Sequence, residues 1–344
     1  MRATRRGATA VVTAVVLALL LAAGCGSGAR TAPSGEGGAT ADGGAGSTVG
    51  DVVGTLPAPI VTDVVPHLPV TVPSADGTEV TITDVSRIVP LWGSLSELVF
   101  ALGLGDHVIG RDSSATFGEV ADLPLVTTGH DISAESVLSL RPTLVLAHED
   151  AGPPEALDQL RAAGVPVLVV ETPTSVDAIG ARMRTLGTAL GVPDAGAELA
   201  AATDAELAAV QRTVPAGVAA PRVGFLYVRG GAGVYLLGGP GSGADSMIAA
   251  AGGSDAGTAI GLDEAFTPLT SEALVAAAPD VLLVTTSGLA SVGGVDGLLE
   301  LAGVAQTPAG QARRIVAVED ALLYSFGART PEALATLIAE LHPS

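Results

Sequence analysis

The chain has 344 residues, 48% of them hydrophobic and 15% charged, which is enough length and apolar content for two lobes of ordinary domain size. Acidic residues outnumber basic ones 36 to 16, for a net charge of -20, and every basic residue is an arginine. That balance argues against a nucleic-acid partner, which needs a basic face, and against adsorption to an anionic lipid surface; it fits solubility outside the cell.

Arg2, Arg5 and Arg6 precede an almost wholly apolar stretch over residues 8–23. That stretch is too short for a comfortable membrane span and has the length of a secretory core. It ends at Leu21-Ala22-Ala23-Gly24-Cys25, and Cys25 is the only cysteine. A lone cysteine makes no internal disulfide, so it needs another reason to exist. Small residues before a cysteine at this place resemble a bacterial lipobox, although Leu21 stands one position earlier than in the strictest pattern. The resemblance implies a signal peptide over 1–24 and lipid attachment at Cys25, on the outer face of the cytoplasmic membrane. Residues 25–66 then read as a flexible tether, Gly/Ser-rich in its first half.

The folded region opens with an expected hairpin, Leu68 to Val72 and Glu79 to Val85, around an Asp76-Gly77 turn. From Arg87 the pattern alternates between strands and helices. Residues 87–91 read as a short strand. Ser94 and Glu97 have the spacing of a capping box, with Leu95, Leu98, Val99 and Leu102 on one helical face. Residues 143–147 and 165–170 read as buried parallel strands separated by a helix over 154–163. Residues 174–213 are helical with a break near Gly191-Val192-Pro193. Strands follow at 222–228, 281–285 and 315–318, and a last helix at 331–341 with Thr330 as its N-cap.

One internal echo organises these elements. SAESVLSLRPTLVLA (133–147) and TSEALVAAAPDVLLV (270–284) align with Glu135 on Glu272 and Pro142 on Pro279 at a single offset. Each copy predicts a capped helix, a proline break and a buried strand. Two copies so far apart predict an α/β protein of two similar lobes with mostly parallel sheets, joined by a long backbone helix. The expected divisions are a first lobe with its hairpin over 67–190, a bridging helix over 191–215 and a second lobe over 216–344.

No phosphate loop, H-E-x-x-H, C-x-x-C or G-x-S-x-G elbow is present, so no motif argues for catalysis. Two lobes make a cleft at the carboxyl ends of their strands, and rare residues on loops there carry information. His130 precedes the first repeat helix. Tyr227 ends the strand at 222–228 and is followed by Arg229. Imidazole and phenolate are both haem-iron ligands, and a neighbouring cation favours the phenolate. Spacing alone favours a loop-capping histidine and a half-buried strand tyrosine over iron ligands. His148 follows a strand and could face the cleft, but a metal site of its own would need more ligands. His107 is expected to meet helix-end carbonyls, and Trp92 and Tyr235 to serve as packing or cleft wall. Tyr324 and Arg329 are placed in a loop of the second lobe.

The stretch from Arg87 onward resembles the helical-backbone class of ABC solute-binding proteins, which carry siderophores, cobalamin or haem. The residues that match are RIVPLWGSLSELVFALGLGDHVIGRD (87–112) and the two repeat copies. TTGHDISAE (127–135), YVRGG (227–231) and FGARTPEAL (326–334) narrow the resemblance to the haemin-binding lipoproteins of bacterial haem-uptake systems. The resemblance implies a non-enzymatic carrier that binds haem and delivers it to an ABC permease and its ATPase. It implies His130 and Tyr227 as iron ligands from opposite lobes, with Arg229 hydrogen-bonded to the tyrosine. Arg329 is expected to support the ligand by meeting a propionate. It also implies docking through Glu135 and Glu272 to permease arginines. No metal is expected beyond the haem iron, and the chain is expected to be a monomer anchored to the bilayer through Cys25. The alternatives are a ferric-siderophore or cobalamin carrier of the same class, which the scarcity of aromatics disfavours, and an extracellular hydrolase.

Overall fold

A computed structural model describes residues 62–128 and 131–343. Cys25, most of the tether and His130 lie outside the described residues. The hairpin pairs β1 (Val70–Pro73) with β2 (Glu79–Ile82). Asp76 closes the turn by accepting from Thr78 N and Oγ1 at 3.2 and 2.7 Å, and Gly77 takes the left-handed φ of 82° that the turn needs.

The first sheet follows. β3 (Ile88–Pro90) leads into α1 (Gly93–Ala101). After a loop region come α2 (Ala134–Ser139), β4 (Leu144–His148), α3 (Pro154–Ala162) and β5 (Val167–Val170). The strand order is β3-β4-β5 and every pairing is parallel. All five residues of β4 are buried, as its unbroken apolar run predicts.

Two helices, α4 (Ile179–Ala189) and α5 (Pro193–Gln211), then form a tight pair. Gly191, at φ 75°, makes the break between them, and Pro193 opens α5. The helices approach closely because Gly187 faces Gly196: a Cβ on Gly187 would lie 2.6 Å from the Gly196 Cα. At 19 residues α5 is about 28 Å long. It falls inside the 191–215 stretch expected to bridge the lobes.

The second sheet contains β6 (Arg222–Arg229), β7 (Val234–Gly238), β8 (Phe266–Pro268), then, after α6 (Ser271–Ala277), β9 (Val281–Thr285) and β10 (Ile315–Val318). The order is β8-β7-β6-β9-β10, with Ser254–Asp255 also pairing alongside β6. β6, β9 and β10 are mutually parallel, whereas β7 and β8 are antiparallel additions. Two helices finish the chain, α7 (Asp320–Tyr324) and α8 (Thr330–Leu341). Among the described residues no helix is long and apolar enough to cross a membrane.

The repeat has a structural meaning. β4 lies between β3 and β5, and β9 lies between β6 and β10, so each copy supplies the central strand of a parallel trio. Ser133 caps α2 by accepting from Ser136 N at 3.1 Å, and Thr270 caps α6 by accepting from Ala273 N at 3.1 Å. One continuous buried cluster runs from Val72 in the hairpin through Met183 and Leu199 to Leu341 in α8, so the two sheets share an apolar base.

Two expectations need correction. Ser94 and Glu97 do not form a capping box. Trp92 occupies the N-cap position of α1 and its side chain makes no capping hydrogen bond there, and Ser94 and Glu97 lie inside the helix, both buried. Glu97 is instead drawn inward by Arg329. Thr330 is likewise the first residue of α8 rather than its cap, with Arg329 at the N-cap position; its Oγ1 accepts from Gly327 N at 2.9 Å.

Candidate functional site

A cleft of about 780 Å³ opens where the parallel strands of both sheets end. Trp92 follows β3, His148 ends β4, Tyr227 and Arg229 end β6, and Glu319 and Asp320 follow β10; all of them line it. Ligands of α/β sheets sit at these carboxyl ends, and the volume suits a sizeable small molecule.

Tyr227 is half-buried, and its strand pairs it with Leu236 of β7. Its ring meets Phe266 edge-on, with centroids 5.7 Å apart. Arg229, two residues on and therefore on the same side of the strand, lays its guanidinium 4.7 Å from the Tyr227 ring centroid. The expected contact was a hydrogen bond to the tyrosine. The guanidinium hydrogen bonds go elsewhere: Nη2 to Asp320 Oδ1 at 2.8 Å, and Nη1 to Thr285 Oγ1 at 3.2 Å and to Val228 O at 3.1 Å. Asp320 is itself fixed by Ser287, whose N and Oγ donate to it at 3.1 and 2.6 Å. Arg229 is thus pinned with its charge on the ring face.

Tyr324 also lines the cleft, with its ring 6.0 Å from that of Phe225. Burial, and behind it the neighbouring Tyr227 and Asp320, push its phenol well above the ordinary tyrosine range, and its hydroxyl has no hydrogen-bond partner among the described residues. It stays a neutral donor.

Arg329 does not line the cleft. Its side chain is 2% exposed, and it forms a buried ion pair with Glu97, Nε lying 2.9 Å from Oε1 and Nη2 closer still. The expected contact with a ligand carboxylate is therefore corrected: the guanidinium is already committed across the lobes. Burial raises the Glu97 pKa, against the opposing hydrogen bonds and charge of Arg329.

Beside that pair lies a second buried cation. Arg182, in the middle of α4, donates to the Ser325 and Phe326 carbonyls at 3.1 and 3.4 Å, to Ser94 Oγ at 3.0 Å and to His148 Nε2 at 2.8 Å. Burial lowers its pKa to about 10, which leaves it charged at neutral pH. His148 is stacked near Trp92, with ring centroids 5.0 Å apart. Burial first, and the charge of Arg182 second, depress its pKa to about 3. Arg182 escaped the sequence reading although a signal existed: it stands at a core-facing position between Ile179, Met183 and Leu186, at helical spacing.

A recess of about 100 Å³ beside the cleft shares Trp92 and Asp150 with it and is also lined by Asp112. Asp112 Oδ2 accepts from Ser114 N at 2.8 Å, while Oδ1 has no partner among the described residues; burial pushes this carboxyl up. Residues 129–130 fall between Thr127–Thr128 and Asp131–Ile132, which pair with each other. Two further histidines bond backbone carbonyls, and for His107 this is the loop carbonyl of Val85 rather than the expected helix end. His107 Nδ1 lies 2.8 Å from Val85 O, and His342 Nε2 lies 2.9 Å from Ala251 O. Glu135 and Glu272 are exposed in the first turns of α2 and α6, on matching parts of the two lobes.

Comparison with known proteins agrees with this architecture. A crystal structure of the haem-binding protein HmuT superposes with a TM-score of 0.79 at 38% identity, covering 85% of this chain and 96% of that one. The periplasmic haem-binding protein RhuT from Roseiflexus sp. RS-1 gives 0.71 at 46% identity, over 75% and 100%. A cobalamin-binding protein of Halobacterium salinarum is 30% identical over 64% of this chain and 59% of its own length. An uncharacterised ABC transporter substrate-binding lipoprotein of Bacillus subtilis, YvrC, is 32% identical over 42% and 46%. The chain thus spans about half the length of these curated relatives. Residues 88–322 match the Periplasmic binding protein family over both sheets, the bridging helices and the cleft between them, and the chain belongs to that family of binding proteins rather than to an enzyme family.

Proposed function

We propose that this protein captures ferric haem outside the cytoplasm and delivers it to an ABC import permease and its ATPase. The observation that carries the reading is Tyr227 on the cleft wall, with the Arg229 guanidinium held against its ring by Asp320. A phenol oxygen that ligates ferric iron takes on negative charge, and a fixed cation beside it stabilises that state. The 38% and 46% identities to HmuT and RhuT, each matched over nearly its whole length, support the same ligand. His130 is the proposed ligand on the opposite face of the ring. Cys25 is proposed to carry the lipid that holds a monomer at the membrane, and Glu135 and Glu272 to dock the permease.

The test is spectroscopic. Haemin added to the purified protein should give a Soret band and a tyrosinate-to-iron charge-transfer band. Tyr227→Phe should remove the second, and His130→Ala should change the coordination state. Spectra unchanged in both variants would overturn the assignment. The similarity to a cobalamin-binding protein favours a second reading; binding of cobalamin without any response to haemin would establish it.

A further inference from the structure

Arg182 Nη2 donates to two side chains at once, His148 Nε2 at 2.8 Å and Ser94 Oγ at 3.0 Å. A guanidinium only donates. The nitrogen of His148 that faces it must therefore be the bare one, and the ring proton must sit on Nδ1. Ser94 Oγ has likewise accepted a bond and keeps its own proton for another partner. No hydrogen bond among the described residues takes up the His148 Nδ1 proton or the Ser94 hydroxyl proton, and both residues line the cleft. The depressed His148 pKa keeps the ring neutral, so its tautomer does not change with physiological pH.

The surrounding charge says what these donors are for. The cleft wall carries Asp150 and Glu319, which repel an anion. Arg229 is held by Asp320 against the Tyr227 ring, and Arg329 is paired with Glu97, so neither is directed at an anionic edge of the ligand. Arg182, buried and outside the cleft lining, is the remaining cation, with no carboxylate bonded to it; Glu97 acts on it through space. Its charge reaches the cleft through the two groups it polarises. We propose that His148 and Ser94 form the binding point for an anionic group of the ligand, a carboxylate at the edge of a porphyrin, with Arg182 as the positioning residue that fixes both donors. This rests on the haem reading of the cleft and adds what selects the ligand's charged edge. It also makes His148 a recognition residue rather than an iron ligand, because its bare nitrogen is occupied.

Haemin and its dimethyl ester separate the two claims, since esterification removes the anionic edge and leaves the iron. Wild type should bind haemin about tenfold or more tightly than the ester, the value of a hydrogen bond to a charged group. His148→Phe should bring the ratio close to one, and Ser94→Ala should lower it part of the way. Should His148→Phe fail to fold, the milder Ser94→Ala decides. Nitrogen NMR of labelled histidine should show a bare Nε2 at His148 in wild type, and Arg182→Met should lose both that fixed tautomer and the preference for haemin. An unchanged haemin-to-ester ratio in the folded variants overturns the recognition site while leaving the haem reading intact. Failure of wild type to respond to either compound overturns the haem reading itself.

Discussion

At the scale of single residues, the site is half readable. Tyr227 and Arg229 are two residues apart on one face of one strand, so a local motif brings them to notice. Glu97 and Arg329 are 232 residues apart, and His148 and Arg182 are 34 apart; no local rule pairs them. The spacing of Ser94 and Glu97 imitates a helix cap, yet Glu97 is 1% exposed because a distant arginine meets it. The buried His148 has a consequence for stability. Unfolded, it titrates near 6.5; folded, burial and then Arg182 hold it near about 3. With the folded value depressed, the unfolded chain takes up a proton that the native chain refuses. The contribution is complete above pH 6.5 and is lost as pH falls toward about 3, at up to about 1.4 kcal/mol per pH unit. Glu97, Asp112 and Asp255 shift upward through burial and act in the opposite sense, so the comparison must cancel them. Denaturant unfolding of wild type and His148→Phe between about pH 7 and 4.5 does this. Wild type should lose stability more steeply than the variant by close to one proton's slope; parallel slopes would mean that native His148 takes up its proton as readily as the unfolded chain does.

At the scale of elements, the repeat was the most legible feature, because a capped helix followed by proline and a buried strand leaves residue types at fixed places. Its deepest correspondence was not legible. Arg141 and Ala278, each just before the proline of its copy, both take left-handed backbone, at φ 51° and 40°. The offset is the one that relates Glu135 to Glu272. Neither residue type announces that conformation, since glycine is the usual occupant, so only the structure reveals it. Ala278 is the C-cap of α6, and its N–H donates to Leu274 O at 2.9 Å, closing the helix end. The alanine Cβ is strained there. Ala278→Gly should therefore stabilise the protein by about 0.5–1 kcal/mol, read as a higher unfolding midpoint. A lower midpoint would show that the Cβ makes packing contacts worth more than the strain it causes.

At the scale of the whole molecule, two similar lobes on a shared apolar base present matched surfaces on either side of the cleft. Glu135 and Glu272 mark those surfaces. The ordinary account is that a carboxylate in a first helical turn meets the helix dipole, for about 0.3–1 kcal/mol each. The caps themselves do not need them, because Ser133 and Thr270 already accept the backbone N–H groups. Both glutamates are exposed, and neither has an ion pair or hydrogen bond among the described residues. Val275, three residues after Glu272 and 58% exposed, adds an apolar patch on the same helix face. A charge and an apolar neighbour left unused by the fold suit a partner that brings arginines, and a permease built of two equivalent halves would meet both lobes alike. The double variant Glu135→Ala/Glu272→Ala separates docking from dipole. Under docking, its haem spectrum matches wild type, its stability falls by no more than the dipole contribution, and it fails to stimulate permease ATPase activity or support haem uptake. Under a purely local role, uptake proceeds normally, and that result from a folded, haem-competent double variant would remove these glutamates from the interface.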